Sequence, residues 1–125
     1  MSTNIASLYL EKMGNALYLQ ITKEGGDTYA HIQVHNYRDE TTVGILLGEQ
    51  GISEFIEDLR FGRDVHFFCE ETYREFLTVQ NFGDDNIYIN ITSTDPDHYT
   101  ASARLNEEEY SNFYNFLLLA EKTFK

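Results

Sequence analysis

The chain has 125 residues, 42% of them hydrophobic, with nine Phe, nine Tyr and no Trp; that is enough apolar material to fill one domain core without disulfides or metals, and it excludes an intrinsically disordered chain. Nine Lys and Arg stand against 21 Asp and Glu, a formal charge of -12, a field that repels polyphosphates and anionic membranes at long range and favours basic partners. A single Cys69 excludes an internal disulfide and fits a reducing compartment, the first residues show no basic region followed by an apolar one, and no apolar run is of membrane length, so the expectation is one cytoplasmic domain over residues 1–125.

Alternating side chains predict four short strands near residues 6–12, 16–23, 28–36 and 42–48. In the second, Leu17, Leu19 and Ile21 alternate with Tyr18, Gln20 and Thr22; in the third, Ala30, Ile32 and Val34 alternate with His31, Gln33 and His35. Glu24-Gly25-Gly26-Asp27 between them reads as a tight turn with ready access to positive φ. From Gly51 the period changes: Ile52, Phe55, Ile56 and Leu59 form one helical stripe, ended by Gly62. Strands follow near 64–69, 74–80, 86–92 and 98–105, and a closing helix near 107–122, with Asn106 as its N-cap. Glu107, Glu108 and Glu109 place negative charge in the first turn of that helix, where the macrodipole favours it. Asp84-Asp85-Asn86 and Asp95-Pro96-Asp97 read as hairpin turns.

The two halves overlay at one offset, which lays Leu47, Glu49, Ser53, Phe55 and Leu59 on Leu105, Glu107, Ser111, Phe113 and Leu117. Chance can match alternating strands, but a change of period at the same place in both halves is harder to obtain by accident. The expected fold is therefore α+β: two tandem β-β-β-β-α units, each an antiparallel four-stranded sheet plus a helix, about 5–62 and 63–123. A sheet with one helix leaves an apolar face partly uncovered, so the units are expected to pack as an intramolecular pseudo-dimer, each helix completing a core with the other copy.

The stretch Gln50-Gly51-Ile52-Ser53-Glu54-Phe55-Ile56-Glu57-Asp58-Leu59 resembles the start of the helix in the PUR (purine-rich-element-binding) repeat, a member of the Whirly-like group of folds. Ala16-Leu17-Tyr18-Leu19-Gln20-Ile21 and Thr28-Tyr29-Ala30-His31-Ile32 resemble that family's second and third strands. The resemblance spans nearly the whole chain and implies binding of single-stranded DNA or RNA. Family members carry Lys and Arg on these strands and their turn, whereas this chain has Gln20, His31, Gln33, Gly25, Gly26 and Asp27 there.

Strand parity places Tyr9, Glu11, Tyr18, Gln20, Thr22, Tyr29, His31, Gln33 and His35 on one helix-averted face, and His66, Phe68, Arg74, Phe76, Thr78, Tyr88, Asn90, Thr92, Ser102 and Arg104 on the other. Rings on an open sheet can hold unpaired bases at about 1–3 kcal/mol per stack, although Tyr and Phe also serve simply as good strand residues. The candidate nucleic-acid-binding residues are Tyr9, Tyr18, Tyr29, His31, Phe76 and Tyr88, with Arg74 and Arg104 as phosphate partners.

No catalytic residues, metal ligands or small-molecule cofactor are expected. His31, His35, His66 and His98 are too scattered for a metal motif, Cys69 lies on the opposite strand face from His66, and no Gly-rich loop precedes a helix. Two partners follow for a non-enzymatic binding module. One is single-stranded nucleic acid, held by stacking on the sheet faces and against the charge of the chain. The other is a basic protein, engaged by an acidic interaction module that imitates or competes with nucleic acid.

Overall fold

The computed structural model describes residues 2–12, 14–38, 40–62, 64–68, 74–94 and 99–124; Cys69, His98 and the Asp95-Pro96-Asp97 turn lie outside them. Four antiparallel strands, β1 (Ser2–Lys12), β2 (Asn15–Glu24), β3 (Asp27–Asn36) and β4 (Thr41–Leu47), form one sheet in chain order. Its register brings apolar residues into cross-strand rows: Leu17, Val34 and Val43; Leu19, Ile32 and Ile45; Ile21, Ala30 and Leu47. All nine are buried, so one face of this sheet is a continuous apolar surface. Gly25 and Gly26 hold φ of 57° and 94° in the two-residue turn joining β2 to β3, a conformation that side chains disfavour.

β1 begins four residues before its expected start. The ladder slips between Asn4 and Ala6, and beyond the slip Ser2 and Thr3 pair with Glu24 and Lys23. Backbone hydrogen bonding carries this extension without any apolar alternation, which is why periodicity did not report it.

A helix α1 (Glu49–Phe61) then leads into β5 (Val65–Phe68), β6 (Glu75–Asn81), β7 (Ile87–Ser93) and β8 (Tyr99–Leu105), a second antiparallel sheet in chain order, and a helix α2 (Glu107–Thr123) closes the chain. Ile52, Phe55, Ile56 and Leu59 form the buried stripe of α1, each contributing about 1.5–3 kcal/mol by leaving water. The helix ends, as expected, at Gly62, which donates its N–H to Asp58 O at 2.9 Å and is extended, at φ -115°. A Cβ at Gly62 would stand 3.2 Å from Asp64 O and 3.3 Å from Asp58 O, so close approach explains the glycine. In α2, Asn106 caps as expected. Its Oδ1 accepts from Glu109 N at 2.8 Å, while Glu109 Oε1 accepts from Asn106 N at 2.9 Å, a reciprocal capping box.

The expected pseudo-dimer of two tandem β-β-β-β-α units is corrected by the packing. The structure is α+β, with two antiparallel four-stranded sheets each followed by a helix, and both sheets and both helices contribute to one continuous buried cluster. Sheet meets sheet directly, β3 and β4 lying against β7 and β8, and the helices touch each other and both sheets. Phe55 of α1 shows the sharing, with its ring centroid 5.4 Å from Phe67 of β5 and 6.3 Å from Phe113 of α2. The halves are also unequal, β1 having 11 residues and β5 four, α2 17 and α1 13. The physical reason is area: three apolar rows per sheet exceed what one short helix covers, so the sheets cover one another.

Candidate functional site

Because both inner faces enter the common core, the two outer faces point away from each other. On the outer face of the first sheet the register sets Tyr9 opposite Tyr18 and Tyr18 opposite Gln33; the next row sets Glu11 opposite Ala16, Ala16 opposite His35 and His35 opposite Thr42. The chain then leaves β3 through Tyr37, whose N–H donates to Gly14 O at 3.0 Å and so extends the ladder by one step. These residues, Glu11 apart, enclose a hollow of about 280 Å3, floored by the buried Ala16 and walled by Tyr9, Tyr18, His35 and Tyr37.

The walls are fixed by mutual contacts. Tyr9 and Tyr18 meet edge to face, centroids 6.3 Å apart at 62°, and His35 and Tyr37 meet at 4.8 Å and 79°. His35 Nδ1 and Thr42 Oγ1 share a hydrogen bond of 2.6 Å. Three oxygens close the rim: Tyr9 Oη donates to Glu11 Oε2 at 2.7 Å, Tyr37 Oη donates to the same oxygen at 3.1 Å, and the two phenol oxygens are 3.1 Å apart. The Tyr37 hydroxyl 3.1 Å away, then the bond to Glu11 and the adjacent carboxylate charge, hold the Tyr9 phenol well above the usual tyrosine range. Tyr9 is therefore held as a donor to the Glu11 carboxylate at the rim. Lys12, next along β1, does not offset that carboxylate, because its Nζ lies 2.6 Å from Glu109 at the start of α2.

Of the eight candidate binding residues, only Tyr9 and Tyr18 come together in this hollow, with Gln33 and His35 of the same expected face. Tyr29 and His31 lie on the same face in other rows, opposite Thr22 and Gln20, and both are half-buried. Of the remaining four, Phe76, Tyr88 and Arg104 belong to the second sheet and Arg74 immediately precedes β6. Phe76 stacks on His66 at 5.1 Å and 15°, and Tyr88 meets Phe82 edge-on at 6.1 Å. Arg104 Nε donates to Asp85 O at 2.7 Å, and the carbonyl of Arg74 accepts from Thr94 N and Oγ1, which ties that residue to the end of β7. The eight residues thus form no single surface. Sequence reasoning missed Tyr37 altogether, although the odd-numbered outward parity of Tyr29, His31, Gln33 and His35 reaches it in one further step.

Among the described residues no group of three or more His, Cys, Asp and Glu is placed to hold a metal ion, and no helix is long and apolar enough to cross a membrane. No protein-family model and no curated protein matches the chain, so the resemblance to the PUR repeat rests on residues 16–21, 28–32 and 50–59 alone.

Proposed function

We propose that this chain is a non-enzymatic, cytoplasmic interaction module that engages a basic protein through the outer face of its first sheet. One observation carries the reading: the phenols of Tyr9 and Tyr37 converge on Glu11, so an aromatic hollow has a carboxylate on its rim. The charge of -12 adds long-range attraction for the same class of partner, including proteins that themselves bind nucleic acid.

Binding of single-stranded nucleic acid by stacking is the second reading, favoured by the exposed rings Tyr9 (54%), Phe68 (46%) and Phe82 (61%) and by the PUR resemblance. It is the weaker of the two. A base stacked on Tyr9 would bring its phosphate toward Glu11, and Arg104 already spends a donor on Asp85.

Fluorescence anisotropy separates them, using a labelled lysine- and arginine-rich peptide and a labelled oligothymidylate at low and moderate salt. The reading expects the peptide to bind, more weakly as salt rises, and the oligonucleotide not to bind. Tighter binding of the oligonucleotide, or no binding of the peptide at low salt, refutes it.

A further inference from the structure

We propose that the hollow on the first sheet is a receptor for an alkylammonium group, the side chain of a lysine presented by the basic partner. The proposal rests on the interaction-module reading and names the group that the hollow takes. Its volume, about 280 Å3, suits one side chain and falls short of the roughly 300–1,000 Å3 of sites for drug-sized molecules. Aromatic faces carry negative quadrupole charge and attract cations. Phenols that donate to a carboxylate also push electron density into their rings, which strengthens that attraction at Tyr9 and Tyr37.

Shape selects among cations. Neighbouring rings stand at 62° and 79° to one another, so each pair makes a corner rather than a stack. A planar guanidinium or a nucleobase stacks best between parallel planes. A compact ammonium head with donors in several directions meets ring faces and edges at any angle, and Glu11 accepts from it at the rim. An aliphatic stem can lie along the tyrosine rings behind the charged head.

The test uses the whole chain with labelled decapeptides of alternating lysine and glycine, or arginine and glycine. The lysine peptide is expected to bind more tightly than the arginine peptide. Glu11→Gln and Tyr9→Leu are each expected to weaken lysine-peptide binding by about three- to fivefold, while Glu24→Gln, an exposed loss of the same charge at the opposite end of β2 from Ala16, changes it by less than about a quarter of that. Equal weakening by Glu11→Gln and Glu24→Gln overturns the receptor and leaves the interaction module standing, since binding then follows the general field. An arginine peptide that binds as well or better overturns the ammonium assignment. Failure of both peptides to bind refutes the module itself. Should Tyr9→Leu lower the urea midpoint, Glu11→Gln decides alone, because it keeps every ring.

Discussion

Replacing Phe55 by alanine removes a ring with no solvent exposure that touches Phe67 of the second sheet and Phe113 of the other helix. A buried Phe→Ala change costs about 3–5 kcal/mol, transfer and cavity terms together, a large part of the roughly 5–15 kcal/mol that holds a domain folded. At about 4 °C per kcal/mol for a chain of this size, the melting midpoint should fall by about 12–20 °C. Because the ring belongs to a shared core, the loss should appear equally in both sheets. Urea unfolding followed by circular dichroism, with amide exchange resolved for β3 and β7, should show one transition and equal loss of protection. A cycle with Phe113→Ala should add a coupling of about 0.5–1.5 kcal/mol for the edge-to-face pair. Two separated transitions, or protection lost in one sheet only, would refute the single shared core.

Thr28 is fully buried, and its hydroxyl finds no hydrogen-bond partner among the described residues, so Thr28→Val should stabilise the protein by about 1 kcal/mol in urea titrations; a loss of that size would mean the hydroxyl is paired. Asn106→Ala opens the capping box of α2 and should cost about 1 kcal/mol, with the first turn of the helix exchanging its amides faster. The phenols of Tyr9, through the adjacent Tyr37 hydroxyl and its bond to Glu11, and of Tyr110, through burial, are held above the ordinary value of 10.0. The folded state binds these protons more tightly than the unfolded one, so their contribution to stability is whole below pH 10 and is lost as pH rises above it. Ultraviolet titration should show tyrosines that ionise later in the native protein than in urea; identical curves would contradict the hydrogen-bonded rim.

The helices were legible because Phe55 and Leu59, or Phe113 and Leu117, can share a face only at helical spacing, and the outward side chains of each strand were legible because parity is a local property. What covers an apolar face is not local. Leu19, Ile32 and Ile45 announce that they are buried, but their spacing says nothing of whether a helix or another sheet lies above them, and there the expected pseudo-dimer failed. The hollow was half legible. Tyr9 and Tyr18 meet through the register of β1 on β2, which alternation leaves open, and Tyr37 lies in the turn beyond the last alternating residue. Glu11 was visible as the acidic exception on its face, yet its role depends on two phenols that converge on it from β1 and from the end of β3.

Amide and aromatic NMR spectra recorded while the lysine-glycine peptide is titrated into the protein test the account most directly. The largest shifts should fall on Tyr9, Glu11, Tyr18, His35 and Tyr37, with the ring resonances of these tyrosines moving most. Shifts concentrated on Phe76, Tyr88 and Arg104, or spread over the acidic turns with the hollow unmoved, would contradict it.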